Sequence, residues 1–222
     1  MRYYFCMTTK RGYGEACPIA HSLDMIGDRW ALLVVRELRL GPKRFTDLQS
    51  SLPNAGPTVL AQRLRELEEA GVIQRRTLAP PASSRVYELT EWGAELEPVF
   101  GALARWGMRS PRPRSGDLSA DSVMLGVRTF FDSQGIPPWS ATYEVRLDRD
   151  SYRIRVEQGR LVELRRGDFA GRADAVLTCD RMTFHELGNR TLTIRAAVDG
   201  DRLMLTGDTK AVQTLFRAVR KP

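Results

Sequence analysis

Leu60, Leu64 and Leu67 recur at i, i+4 and i+7 between Pro57 and Gly71, and this spacing narrows most sharply what the chain folds into. Residues so spaced form one stripe along an α-helix and face a core. Pro57 suits the first helical position, where the missing N–H costs nothing, and Gly71 suits the stop. Ahead of this helix, residues 46–52 predict a shorter one with Phe45 and Leu48 inward, and Pro53-Asn54-Ala55-Gly56 is a turn. Behind it, Val72-Ile73 begins a strand, the chain folds back at Pro80-Pro81-Ala82-Ser83-Ser84, and it returns through Val86, Tyr87 and Leu89. Two short helices followed by a hairpin are the ordered parts of a winged helix-turn-helix, which holds its second helix in the DNA major groove.

With the leucines inward, Thr58, Val59, Gln62 and Arg63 are expected on or near the opposite face, at the end of the helix that reaches base edges. Glutamine pairs bidentately with adenine and arginine with guanine, while threonine touches a thymine methyl or a phosphate. Arg65 lies farther around and has Glu69 available at i+4. Arg44 precedes the third helix, and Arg75, Arg76 and Arg85 flank the hairpin. These four are expected on phosphates or in the minor groove, where they add affinity but little sequence preference.

The flanking residues extend the domain. Pro18 opens a helix carrying Ile19, Leu23 and Ile26, and Asp28 is the expected cap of a second helix with Trp30, Leu33, Val34 and Leu38. Thr90 is the expected cap of one long helix carrying Leu96, Val99, Phe100, Leu103 and Trp106. The blocks Cys17-Pro18-Ile19, Gly27-Asp28-Arg29-Trp30, Arg44-Phe45-Thr46-Asp47-Leu48, Leu60-Ala61-Gln62-Arg63-Leu64 and Tyr87-Glu88-Leu89-Thr90 stand in order with the right gaps. In this the segment of about residues 16–107 resembles the HxlR-type transcriptional regulators. The resemblance implies a winged-helix homodimer on double-stranded operator DNA, with the first and last helices of the domain making much of the dimer contact. Where that family often has Ser before the recognition helix, this chain has Gly56-Pro57-Thr58, and Thr58 is the substitute phosphate contact. Some members sense oxidants or electrophiles through a cysteine at the place of Cys17. A thiol just before Pro18 sits at a helix N-terminus, where the dipole favours thiolate. The alternative for Cys17 is a half-buried structural cysteine at the dimer contact.

Composition excludes several other classes. Cys6, Cys17 and Cys179 are odd in number and widely spaced, and His21 and His185 are the only histidines, so neither a disulfide framework, a metal site nor a histidine triad is expected. Paired carboxylates beside a base and glycine-rich nucleotide loops are missing, so neither catalysis nor a cofactor is expected. The chain lacks an apolar run of membrane-spanning length and the pattern of a signal peptide, which makes a cytoplasmic protein without membrane contact the expectation. The net charge of +7 suits a polyanion but is spread over both halves.

The seam is the Pro- and Arg-rich run in residues 108–117, which separates a DNA-binding and dimerisation domain at 1–107 from a second domain at 118–222. The second domain begins with a helix bearing Val123, Val127, Phe130 and Phe131 and continues in alternating strands at 143–147, 152–156 and 161–164. A further strand at 173–180, a capped helix with Phe184 and Leu187, a helix at 192–198, a strand at 202–206 and a last helix at 208–219 complete it. The expected whole is α+β, with an antiparallel sheet in the second domain. Ala173-Asp174-Ala175-Val176-Leu177-Thr178, Leu187-Gly188 and Leu203-Met204-Leu205-Thr206-Gly207-Asp208 resemble the sterol-carrier-protein-like fold over about residues 118–220. That resemblance implies a hydrophobic tunnel between sheet and helices that holds an apolar effector. Its candidate lining is Phe130, Phe131, Trp139, Phe184, Leu187, Ala196, Leu205 and Phe216, which equally read as plain core.

Together these readings point to a homodimeric DNA-binding regulator, a repressor rather than an activator, with a second domain that receives an apolar effector. A thiol-based sensor using Cys17 is the alternative. A lipid-carrier or protein-interaction module is the alternative of another class.

Overall fold

The computed structural model describes residues 12–79, 84–167 and 171–220, so Cys6 and residues 80–83 of the hairpin turn expected at 80–84 lie outside the described residues. The first half contains α1 (Pro18–Ile26), α2 (Ala31–Leu38), α3 (Phe45–Ser51), α4 (Pro57–Glu69), β1 (Ile73–Thr77), β2 (Arg85–Leu89), α5 (Glu91–Ala94) and α6 (Glu97–Met108). As the spacing predicts, Leu60, Leu64 and Leu67 of α4 are buried, packed with Val34, Val35 and Leu38 of α2 and Leu48 of α3. Gly71 adopts φ +72°, the left-handed conformation that glycine enters without a steric penalty. Val72 N–H then closes back on the Leu67 carbonyl at 2.9 Å, which turns the helix into β1. β1 and β2 pair antiparallel with Arg75 opposite Tyr87 and Arg76 opposite Val86.

Two local expectations fail for identifiable reasons. Trp30, at φ 78°, occupies the N-cap position of α2 with no side-chain cap, because the Asp28 carboxylate is taken by Arg63 of α4. The single long helix after Thr90 is broken into α5 and α6. Pro98 lacks an N–H, and its ring conflicts with the carbonyl four residues earlier, so the chain must re-form a helix start around it. Thr90 does cap, accepting from Gly93 N–H at 2.9 Å. Gly93 is required there because a Cβ would lie 2.0 Å from the Val72 carbonyl oxygen.

The second half contains α7 (Ala120–Phe130), β3 (Ala141–Leu147), β4 (Asp150–Glu157), β5 (Arg160–Arg166), β6 (Ala175–Cys179), α8 (Arg181–Asn189), α9 (Ile194–Asp199), β7 (Leu203–Gly207) and α10 (Thr209–Ala218). Its five strands lie in the order β5-β4-β3-β6-β7. β3, β4 and β5 form the expected antiparallel meander, and β7 runs antiparallel to β6. β6, however, lies parallel to β3, so the sheet is mixed. Alternation identifies a strand and its buried face, but it carries no information on which neighbour the strand meets or in which direction. Tyr143, Val145 and Leu147 point into a core closed by Met124, Phe184, Val212 and Leu215, while Glu144 and Arg146 face outward. Asp180 and Asp208 cap α8 and α10 by accepting backbone N–H bonds, which fixes where each helix leaves the sheet.

The two halves meet through residues 39–43, between α2 and α3. Leu40 is only 2% exposed and packs in the core of the second half rather than the first. Lys43 Nζ donates to Glu37 Oε2 at 2.6 Å, Ser51 Oγ at 2.8 Å and Asp121 Oδ2 at 2.9 Å, which uses all three ammonium hydrogens. Asp121, at the start of α7, also accepts from Tyr152 Oη at 2.6 Å and Arg166 Nη1 at 2.5 Å. Arg166 in turn donates to the Pro42 carbonyl at 2.6 Å, and Ser119 Oγ donates to Glu37 Oε1 at 2.7 Å. Glu37, Asp121 and Lys43 are 0%, 1% and 6% exposed. Beside this cluster Arg39 pairs with Glu97 of α6 and lies 4.6 Å from the Phe100 ring centre, while Arg128 of α7 reaches the same carboxylate at 3.5 Å.

Burial alone would raise the Glu37 carboxyl, but the attraction of Lys43 and Arg36 and the bonds from Lys43 and Ser119 outweigh it and hold it below the usual carboxylate range. A group depressed in the folded state stabilises fully above its unfolded value, near 4.3, and loses that contribution as pH falls through the lower folded value. Acid is therefore expected to loosen this junction, read as a fall in denaturation midpoint below about pH 4 that Glu37→Gln flattens. Lys43→Met leaves two carboxylates without their shared cation and is expected to cost about 3–5 kcal/mol in denaturant unfolding. A Lys43→Met protein as stable as the parent would mean that the cluster does not join the halves.

Candidate nucleic-acid interface

The face of α4 that its leucines leave open carries Thr58, Val59 and Arg65, all exposed, with Gln62 half-buried between them. Positions 58, 62 and 65 are one helical stripe. Gln62 donates to Glu66 Oε1 at 2.8 Å and accepts from Arg65 Nη2 at 2.5 Å, so its amide is held level with the Arg65 guanidinium. Arg65 had the alternative of pairing with Glu69 and does not use it here. Arg63 departs from the sequence expectation. Its guanidinium is bound by Asp28 and by Glu66, and its side chain is 17% exposed. The cause is its place beside the α1–α2 turn, where the Asp28 carboxylate is within reach. Arg63 thus ties the α1–α2 turn to α4, and Arg65 takes the outward position. The signal available in the sequence was the i+3 spacing from Gln62, which suits Arg65, whereas Arg63 merely follows Gln62.

Arg44 lies exposed just before α3, and its backbone N–H donates to Asp47 Oδ2 at 3.1 Å, which fixes the start of that helix. In the wing, Arg75 pairs with Glu68 at 2.8 Å and stacks 5.5 Å from the Tyr87 ring centre. Arg76 Nε pairs with Glu88 at 2.9 Å, and Arg85 stands exposed at the start of β2. Exposed pairs of this kind contribute about 0–1 kcal/mol, so a phosphate can displace the carboxylate at small cost. The wing is anchored to the turn before α3 because Lys43 exchanges both backbone bonds with Tyr87, at 3.0 and 2.8 Å. Arg44, the wing and α4 therefore form one surface standing on the buried Lys43.

The two described cysteines differ in setting. Cys17 occupies the N-cap of α1 without a side-chain cap hydrogen bond, and the Ala20 and Ile19 backbone N–H groups that face it hold its thiol below the ordinary value. Cys179 is the opposite case: burial, with Asp180 and Asp148 nearby, pushes it up to about 12. On α1 and α6 large apolar side chains face solvent, with Ile19 and Trp106 each 72% exposed and Leu23, Val99 and Leu103 over 40%.

The expected effector lining in the second half divides. Phe184, Leu187 and Phe216 are core, with the two phenylalanine rings 5.2 Å apart, and Leu205 is half-buried. Phe131 packs 6.0 Å from Trp139, whose indole N–H donates to Tyr143 Oη at 2.9 Å. Phe130 and Phe131 border a hollow shared with Ala102 and Trp106 of α6. Ala196 is exposed, because α9 turns Ala197 inward in its place. Leu187 and Phe216 border a second hollow of about 690 Å³ with Leu192 and Ile194. Among the described residues no helix is long and apolar enough to cross a membrane.

A family model for HxlR-like helix-turn-helix proteins matches residues 25–114. The chain is similar to an uncharacterized HTH-type transcriptional regulator, YvaP of Bacillus subtilis, at 36% identity over 93 residues, covering 41% of this chain and 86% of the relative. It is similar also to the HTH-type transcriptional regulator YodB of the same organism, at 35% identity over 91 residues, covering 40% and 81% of the two chains. Among solved structures, the oxidized form of the redox regulator HypR matches at 31% identity, covering 44% of this chain and 100% of that one, with a TM-score of 0.41. With α3, α4 and the wing in their places and relatives covered over most of their length, the chain belongs to the HxlR family of helix-turn-helix transcriptional regulators.

Proposed function

We propose that this regulator acts as a homodimeric repressor, reading operator DNA with Thr58, Gln62 and Arg65 of α4 while Arg44, Arg75, Arg76 and Arg85 hold phosphates. The observation that carries this reading is the linked Gln62–Arg65 pair on the open face of α4. An amide and a guanidinium fixed side by side present donors and an acceptor to adjacent base edges without further ordering. The exposed apolar faces of α1 and α6 are the proposed dimer contact, since water contact with so much apolar surface is unfavourable and a second copy relieves it. The second half is proposed as a sterol-carrier-like effector domain. Its route to DNA is the 39–43 segment, where Arg166 and Asp121 hold the residues immediately before Arg44. An effector acts this way only if it binds the two dimer arrangements with different affinity.

A second reading is favoured by the Cys17 geometry: a thiol held low by backbone N–H groups is the reactive one. Alkylation followed against pH is expected to label Cys17 well below the pH that Cys179 requires. Oxidant is then expected to release wild-type protein from DNA and to spare Cys17→Ser; release of both would exclude Cys17 as the sensor. For the main reading, mobility shifts on genomic fragments at several salt concentrations separate the contacts. Gln62→Ala and Arg65→Ala are expected to cost about 1–3 kcal/mol on the operator and little on random DNA. Arg76→Ala is expected to weaken both alike and to lower the salt slope by about one. Equal losses on both DNAs for all three would overturn this assignment of base and phosphate contacts.

A further inference from the structure

We infer that the hollow where the second half meets the helix-turn-helix binds a small zwitterion, an α-amino acid with an apolar side chain. This site lies apart from the apolar core of the second half, and it rests on the operator reading above only for its regulatory meaning. The hollow measures about 500 Å³, within the range of small-molecule sites. Its walls come from both halves. Trp30, Leu33 and Arg36 belong to α2 and its cap, and Leu52, Pro53 and Asn54 lie in the turn between α3 and α4. The second half contributes Asp148, Arg149 and Asp150, where β3 turns into β4, and Arg181 at the start of α8. Asp117 and Leu118 complete it just ahead of α7. Junctions between domains are a preferred place for ligands.

The charges in this hollow are of both signs and only partly matched. Arg36 is bound to Glu37, and Arg181 reaches Asp148 at 3.2 Å. Asp117, Asp150 and Arg149 make no side-chain hydrogen bond or ion pair among the described residues. The Asp150 carboxyl is half-buried, and burial with Asp121 nearby pushes it up, a cost that an ammonium group would relieve. Trp30 and Leu33 add apolar surface, with Leu33 36% exposed. An anion alone would meet the aspartates, and a cation alone would meet the arginines. A neutral apolar compound would take water from both. A molecule with a carboxylate, an ammonium and an apolar side chain answers all three. The backbone adds an independent sign. Trp30 at φ 78° and Asp148 at φ 55° hold the left-handed conformation without being glycine, and both line this hollow. For a bulky residue that conformation is costly, and such strain gathers at ligand sites. An occupant touches the turn that sets α4 against α3, so its binding bears directly on the proposed recognition helix.

The test is calorimetric titration of the full-length protein with L-leucine, L-methionine, L-phenylalanine and L-tryptophan. At least one is expected to bind with a Kd below about 1 mM. The tightest is then compared with two analogues, the acid that lacks the ammonium and the amine that lacks the carboxylate. Each analogue is expected to bind at least tenfold more weakly. Arg149→Gln is expected to weaken the amino acid about tenfold and to leave the amine unchanged. Asp150→Asn is expected to weaken it about tenfold and to leave the acid unchanged. If Asp150→Asn lowers the denaturation midpoint, the exposed Asp117→Asn takes its place with the same expectation. Three results would each overturn the proposal: no binding by any of the four at this level, an analogue as tight as the amino acid, or affinity indifferent to these substitutions. Operator affinity is measured with and without the amino acid. If the amino acid binds as expected and operator affinity does not move, the site stands and its regulatory meaning falls. If it binds as expected to a protein with no operator affinity at all, the site stands and the operator reading falls.

Discussion

The structure depends on one lysine. Lys43 lies in a Gly-Pro-Lys turn that would ordinarily be wet, yet it is enclosed by Glu37 from α2, Ser51 from α3 and Asp121 from α7. Its backbone meanwhile extends the wing by pairing with Tyr87. A buried ammonium is tolerable only where carboxylates and acceptors replace water on every hydrogen, and here those partners come from both halves of the chain. Arg166 shares the Asp121 carboxylate with Lys43 and grips the carbonyls on the N-terminal side of Lys43. Arg36 also pairs with Glu37 at 2.7 Å, so both buried carboxylates are met by more than one cation. Such a cluster adds little net stability over an apolar plug. What it adds is geometry, because in this arrangement the groups from both halves satisfy one another.

That geometry decides what the second half can influence. The residue after Lys43 is Arg44, which opens α3, and α3 packs beneath α4. A shift of α7 or β5 would pull on Asp121 and Arg166, then on the 40–43 turn, and through it on both the helix-turn-helix and the wing. The Arg39–Glu97–Arg128 group makes a second tie, from the end of α2 to α6 and α7. α6 and, through the 40–43 turn, α3 are thus both tied to the second half.

Much of this was legible in the sequence, and the division has a physical logic. The leucine stripe of α4, the Gly71 stop, the two arms of the hairpin and the capped start of α8 are local: each depends on neighbours within a turn or two. Elements set by distant partners were not legible. Arg63 and Arg65 differ by two positions, and only the fold brings Asp28 beside the first. The same contact removed Asp28 from its expected capping role. Pro98 could have been read as the break between α5 and α6, since proline conflicts with a continuing helix wherever it falls. The parallel pairing of β3 with β6 depends on where the chain re-enters the sheet, which alternation does not encode. Lys43 gave no sign at all, because its neighbours in sequence are those of a surface turn. The candidate lining of the second half was legible as apolar but not as a site, since packed core and ligand wall use the same residues.

Leu40 carries a consequence for how such a chain is inherited. It is written in the DNA-binding half, yet it is a core residue of the other half. The proline- and arginine-rich seam near residue 110 marks where the chain passes from one half to the other, but it does not mark where one ends as a physical object. A recombination event cutting at that seam would leave an apolar side chain in water and a lysine without half its counter-charges. The fusion is not two interchangeable modules on a string. With Leu40 and Lys43 seated in the second half, the turn between α2 and α3 is fully packed only where both halves are present.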